Sequence, residues 1–201
     1  MKASGIAVFD LDGTITRKDT FLEFIRYVKG GIRFYIGIIV LSPYILLYYL
    51  RLLPNDKLKE RFFRYFFKGM SESYLCTKGN DFSVDVLPVL CYHKALERIH
   101  WHQSQKHRII ILTASSNIWL SEWCKVNGVE LIGTRFEVNA NRYTGRILGK
   151  NCHGLQKKHI LETILQEGKY SETFGYGDSR ADKHFLQLLE KRFYREFSKS
   201  G

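Results

Sequence analysis

Two aspartates two positions apart, in Phe9-Asp10-Leu11-Asp12-Gly13-Thr14, stand directly after the apolar run Ile6-Ala7-Val8-Phe9. Carboxylates this close repel one another and are stable together only where a cation or hydrogen bonds compensate them. A hard divalent ion that favours oxygen ligands, Mg²⁺, meets that need. The pair can also divide a reaction, one carboxylate attacking phosphorus while the other protonates the departing oxygen. Gly13 gives the backbone room to turn.

Three further clusters suit the same chemistry. Thr113-Ala114-Ser115-Ser116 follows a second apolar run, where hydroxyls and free backbone N–H groups can hold phosphate oxygens. Gly154-Leu155-Gln156-Lys157-Lys158 opens a helical pattern and offers an ammonium to a phosphoryl group gaining charge in transfer. Gly177-Asp178-Ser179-Arg180-Ala181-Asp182 adds two more carboxylates. Each cluster alone has a plainer reading as a turn, a helix cap or a solvated charge pair. Their succession along one chain gives them joint weight.

Strands and helices must bring these groups together. Apolar runs at 6–9, 109–112, 130–132 and 173–176 predict strands that end in polar or glycine-containing loops, the third at Gly133. Helical patterns cover 117–126, 155–167 and 181–189. This alternation predicts an α/β fold with a doubly wound parallel sheet, in which a site forms beyond the carboxyl ends of the strands. Residues 136–139 and 143–148 predict a small hairpin beside the sheet, and Lys191-Arg192-Phe193-Tyr194-Arg195 its end, followed by a charged tail. The stretch 17–107 is too long for a simple crossover and is rich in helical patterns. It is expected to form a mainly helical cap inserted after the first strand, over a core built from 1–16 and 108–201.

The four clusters in this order resemble the haloacid dehalogenase superfamily. The cap between the first and second motifs is similar to the type IB branch, which includes phosphoserine phosphatases. The resemblance covers nearly the whole chain. It implies a Mg²⁺-dependent phosphatase with Asp10 as the nucleophile that becomes an aspartyl-phosphate and Asp12 as general acid and then base. It further implies Mg²⁺ held by Asp10, the backbone carbonyl of Asp12, and Asp178, with phosphate bound by Thr113, Ala114 and Lys157. The Gly-x-x-Lys spacing selects Lys157 over Lys158. Asp182 and Ser115 would support the site. Asp19, nine positions after Asp10, stands where phosphoserine phosphatases place a substrate-reading glutamate, one methylene longer. The basic cap residue expected to bind the serine carboxylate is not identifiable.

The substrate is therefore expected to be a small phosphorylated metabolite or a phospholipid head group. The type IB resemblance also reaches phosphatases of phosphatidylglycerophosphate, which would act at the membrane surface. Residues 32–53 bear on this, because the segment approaches the ~20 residues of a membrane-spanning helix. Arg33, Pro43 and Arg51 interrupt it, and two short cap helices are the expectation. The other reading is peripheral membrane contact through Tyr44, Tyr48 and Tyr49 and the basic run Lys57, Lys59, Arg61, Arg64 and Lys68. Phe62, Phe63, Tyr65, Phe66 and Phe67 read as the apolar side of a cap helix rather than a base-stacking surface, so no nucleic-acid partner is expected. His100, His102 and His107 lack partner ligands and read as solvated or structural rather than as a metal site.

With 45% hydrophobic residues the 201-residue chain can bury a core. The 31 basic against 20 acidic residues give a formal charge of +11, which attracts anions of any kind and leaves a non-enzymatic basic module, binding anionic membrane or nucleic acid, as the alternative of another class. Cys76, Cys91, Cys124 and Cys152 form no Cys-x-x-Cys pair, which fits a reducing cytoplasm. Met1-Lys2-Ala3-Ser4-Gly5 runs straight into the first strand, and no export is expected. Membrane association would then be peripheral, on the inner face.

Overall fold

Strand β1 (Ile6–Phe9) is buried at every position, because it runs through the middle of a sheet covered on both faces. In the computed structural model, which describes residues 4–198, β2 (Arg108–Ser116) and β5 (Thr173–Gly177) flank it in parallel. Residues 1–3 of the N-terminal stretch and 199–201 of the charged tail lie outside the described residues. With β3 (Glu130–Asn139), β4 (Arg142–Leu148) and β6 (Lys191–Tyr194), the sheet has the order β4-β3-β2-β1-β5-β6. All pairs are parallel except β3 with β4. The period of two along each strand sends alternate side chains to opposite cores. Ala7, Phe9, Ile109 and Ile111 join one, while Ile6, Val8, Ile110 and Leu112 meet Leu161 of α8 (Leu155–Glu167) and Phe185 of α9 (Lys183–Leu186) in the other. The fold is the α/β doubly wound sheet that the sequence pattern predicts.

Between β1 and β2 lie α1 (Thr20–Lys29), α2 (Gly31–Tyr49), α3 (Asn55–Phe67), α4 (Glu72–Asp85), α5 (Leu87–Leu90) and α6 (His93–Ser104). An antiparallel bridge between Thr16 and Cys91, with Arg17 N–H donating to Leu90 and Tyr92 N–H to Ile15, clamps the two ends of this excursion. Helix α6 falls beyond the clamp and on the sheet side: buried His102 bonds Tyr176 of β5 through Nε2 at 2.9 Å and His107 through Nδ1 at 2.8 Å. All four cysteines are free thiols.

Three local expectations are corrected. Residues 32–53 do not form two short helices: α2 is continuous for 19 residues with Pro43 inside it. Proline lacks the N–H that would bond the Ile39 carbonyl, and the Ser42 hydroxyl donates to that carbonyl instead, at 2.8 Å. Gly133 does not end a strand: β3 runs through it, because a Cβ there would come within 2.7 Å of the Ser115 carbonyl and only glycine permits that approach. Residues 140 and 141, both at positive φ, then turn the chain into β4. The helix expected over 181–189 is the four-residue α9, and the chain turns over residues 187–190 into the edge strand β6.

The four phenylalanines of α3, Phe62, Phe63, Phe66 and Phe67, are buried, and Tyr65 is exposed. Phe63 stacks on Phe136 of β3 with ring centroids 3.5 Å apart, and Phe21 and Phe24 of α1 stack on Trp119 of α7 (Asn117–Val126). The insertion and the sheet thus share one apolar core. Its outer helix is different: α2 is long and apolar enough to cross a membrane by length and composition, and Ile32, Ile36, Ile39, Val40, Leu46 and Tyr49 are exposed.

Candidate active site

The carboxyl ends of β1, β2 and β5 meet on one rim of the sheet, and Asp10, Thr113 and Asp178 stand there. Asp10 is buried just past β1, its N–H donating to the Tyr176 carbonyl at 2.9 Å. Its two oxygens accept from Lys157 Nζ at 2.5 Å and from Thr14 Oγ1 at 3.3 Å. Lys157 comes from the first turn of α8, is buried, and also donates to Asp182 Oδ1 at 2.7 Å. Its neighbour Lys158 faces outward and pairs with Glu162. The Gly-x-x-Lys spacing therefore selects the inward lysine.

Asp12 faces a separate set of partners. Its Oδ1 accepts from the Thr20 N–H at 2.7 Å and its Oδ2 from Ser115 Oγ at 2.5 Å. Thr20 begins α1, so the carboxylate also lies at the positive end of that helix. Trp119 Nε1 donates to Thr20 Oγ1, which lies 2.9 Å from Ser115 Oγ, so the two hydroxyls are fixed in turn. The Thr113 hydroxyl accepts from the Ser115 N–H at 3.0 Å and shapes the tip of β2. Asp19 caps α1 by accepting from the Leu22 N–H at 3.0 Å.

Burial sets the electrostatics. It pushes the Asp10 carboxyl up to about 7 against the pull of Lys157. Burial, followed by the Asp19 carboxylate, pushes Asp12 up to about 6, with the bonds from Ser115 and Thr20 opposing. Burial works against the charge on Lys157, but Asp10 and Asp182 together raise its pKa. Asp178 is raised by burial and by Asp182. For Asp182 burial acts upward, yet Lys157 and Ser179 outweigh it and the carboxyl is lowered.

One carboxylate oxygen each from Asp10, Asp178 and Asp182 lie within 4.8 Å of one another. Asp178 packs against Gly13, which has φ +85°, and a Cβ there would come 2.3 Å from Asp178 Oδ2. Oxygen-only donors, with the Asp182 charge raising the pKa of both Asp10 and Asp178, fit a hard divalent cation such as Mg²⁺. Asp182 is less free, since its oxygens already take Lys157 and both the N–H and hydroxyl of Ser179.

One residue of the site escaped the sequence reading. Lys59 of α3, in sequence a member of the basic run 57–68, turns inward and donates to the Ala114 carbonyl at 2.6 Å, with Asn151 Oδ1 at 3.4 Å. Burial lowers its pKa, and Asp19 and Asp12 act in the opposite sense. The signal was present: 59, 62, 63, 66 and 67 share one helical stripe. His102 and His107 hold each other and Tyr176, away from these carboxylates.

The family model described as haloacid dehalogenase-like hydrolase matches residues 7–187, spanning all these motifs. The chain belongs to that family. Protein CicA of Caulobacter vibrioides is 27% identical to this hydrolase over 194 residues, covering 96% of this chain and 86% of the relative. A solved protein of unknown function from Bordetella pertussis Tohama I has the same fold with a TM-score of 0.78 and 21% identity, covering 95% and 89% of the two chains. Two phosphoserine phosphatase structures, one substrate-bound and one a phospho-aspartyl intermediate analogue, give TM-scores of 0.68 and 0.67 at 14% and 15% identity. They cover 96% and 95% of this hydrolase, and 87% and 86% of their own chains.

Proposed function

We propose that this hydrolase is a Mg²⁺-dependent phosphatase that cleaves phosphomonoesters through an aspartyl-phosphate on Asp10. The observation that carries the reading is the division of labour between two carboxylates two residues apart. Asp10 faces Lys157 and the carboxylate cluster, whereas Asp12 faces hydroxyl and backbone donors and has its pKa pushed up to about 6. A group titrating near neutrality can both give and take a proton.

In the first step an Asp10 oxygen forms a bond to phosphorus as the bond to the alcohol breaks, and Asp12 gives its proton to the departing oxygen. In the second, Asp12 takes a proton from water, whose oxygen attacks phosphorus and releases phosphate from Asp10. Lys157, the Thr113 hydroxyl and the Ala114 backbone would hold the phosphoryl oxygens, while Ser115 and Thr20 keep Asp12 oriented. Asp10, the Asp12 carbonyl and Asp178 would hold Mg²⁺, with Asp182 anchoring Lys157 beside them. When bound, the ion would offset the like charges of carboxylates and phosphoryl group. The four free thiols favour a cytoplasmic location.

The substrate is a small phosphorylated metabolite or a phospholipid head group. A membrane-surface phosphatase of phosphatidylglycerophosphate is the second reading, favoured by the exposed apolar face of α2. The test is phosphate release from a panel of phosphomonoesters with Mg²⁺ or with EDTA. Turnover should require the metal and vanish in Asp10→Asn, which should leave the fold largely intact. Near-full activity in Asp10→Asn would overturn the mechanism. Salt-sensitive binding of anionic membrane or nucleic acid, without turnover and indifferent to Asp10, would instead support the basic binding module.

A further inference from the structure

A cleft of about 370 Å³ opens between α1, α2 and α3, its lining mostly apolar with a few polar side chains. Ile38, Ile45 and Tyr48 of α2 face Leu58 and Phe62 of α3 and Leu22 of α1 along its length. Asp19, Asn55 and Lys59 also line it. Lys59 and Asp19 also border the catalytic rim, Lys59 through its bond to the Ala114 carbonyl and Asp19 as the cap residue directly before Thr20, whose N–H donates to Asp12 at 2.7 Å. The cleft therefore shares Asp19 and Lys59 with the surroundings of the proton donor Asp12.

That continuity fixes which part of a substrate would enter. With phosphorus at Asp10 and Asp12 protonating the leaving oxygen, the alcohol departs on the Asp12 side, past Asp19 and Lys59, into the cleft. Asp19 and Lys59, beside the catalytic rim, suit oxygens near the phosphate, and the aliphatic and aromatic side chains of the cleft suit hydrocarbon. Sites of this kind orient a ligand by a few polar groups and bind it by apolar burial. The volume is in the range of small-molecule sites.

Resting on the phosphatase reading, we propose that the leaving group of the natural substrate carries an apolar chain that lies between α2 and α3. The substrate class is an amphiphilic phosphomonoester, and α2 is the wall that selects it. Gly37 supports this geometry: a Cβ there would come 2.1 Å from the Phe66 ring, so the two helices meet closely at that level. The outer side of α2, including Ile39, is exposed and apolar but does not line the cleft.

Monoalkyl phosphates from butyl to dodecyl, kept below their aggregation concentrations, test the proposal together with para-nitrophenyl phosphate. Full burial of a methylene is worth roughly a fourfold change, and an open cleft should realise about half of that factor. The kcat/KM should therefore rise at least about tenfold from butyl to octyl. Ile45→Asp, in the wall, should bring the octyl-to-butyl ratio close to one, and Ile39→Asp, on the outer side, should leave the ratio as it is. A flat chain-length profile with Asp10-dependent turnover of the short esters would overturn the proposal and leave the phosphatase reading standing. Equal loss of the ratio in both variants would overturn it too, because the chain would then not lie in the cleft. No turnover of any monoester, the aryl ester included, would refute the phosphatase reading and this inference with it.

Discussion

Replacing Lys157 by methionine removes one ammonium and leaves two buried carboxylates without their counter-charge. The side chain of Lys157 is 3% exposed, and it bonds Asp10 at 2.5 Å and Asp182 at 2.7 Å. Methionine fills much the same volume, so the loss is electrostatic rather than a cavity. Breaking a buried pair on one side costs about 3–5 kcal/mol, because the remaining charge is neither solvated nor matched. For a chain of this size each kcal/mol moves the melting temperature by about 2–4 °C, so Tm should fall by roughly 6–20 °C. Urea denaturation at pH 8 in metal-free buffer measures it directly. Adding Asp182→Asn to Lys157→Met removes one stranded charge while keeping an oxygen for Ser179, so the double variant should recover about 1–2 kcal/mol. A loss below about 1 kcal/mol in the single variant, or strictly additive losses in the double, would show that Lys157 does not neutralise these two groups.

Asp12→Ala should lower kcat on alkyl phosphates by about 10²–10⁴-fold and affect the first step on para-nitrophenyl phosphate far less, since that leaving group needs little protonation; equal losses on both would remove Asp12 as the acid. Chelation by EDTA should abolish turnover, and Mg²⁺ should restore it; activity that persists in exhaustively demetallated enzyme would exclude the proposed metal role. His102, whose ring is buried with both nitrogens engaged, has its pKa pushed down to about 3 by burial, with His107 and Arg98 adding. Between that value and the ~6.5 of an unfolded histidine the unfolded chain binds the extra proton, so this residue withdraws stability as pH falls. From pH 6.5 to pH 5 the change is as much as about 2 kcal/mol, and His102→Gln should show a shallower fall in its urea midpoint over that interval; an unchanged slope would contradict the assignment.

The sequence made the strand tips legible because they follow short apolar runs that have few other uses. Asp10, Thr113 and Asp178 lie on one rim, Lys157 reaches it from α8, and helices α7 and α8 have the bounds that periodicity suggests. What stayed hidden depends on contacts between segments far apart in the chain. Pro43 looked like a breaker because its local cost is certain, while the Ser42 bond that offsets it appears only in the folded helix. Gly133 looked like a loop because the close approach of the Ser115 carbonyl is a tertiary fact. Lys59 was grouped with its basic neighbours by proximity in sequence, although its helical stripe is that of Phe62, Phe63, Phe66 and Phe67.

The ring stack between Phe63 and Phe136 limits how this architecture can be re-engineered or diverge. Half of that pair belongs to α3 and half to the third strand of the sheet, and Phe21 and Trp119 repeat the arrangement between α1 and α7. An insertion borrowed from a relative would arrive with its own rings and meet Phe136 and Trp119 in the wrong register. Exchange of the insertion alone should therefore yield poorly cooperative chimaeras, and viable recombinants should carry β3 and α7 along with it. Recombination would then follow the aromatic seam rather than the points where the chain leaves and rejoins the sheet.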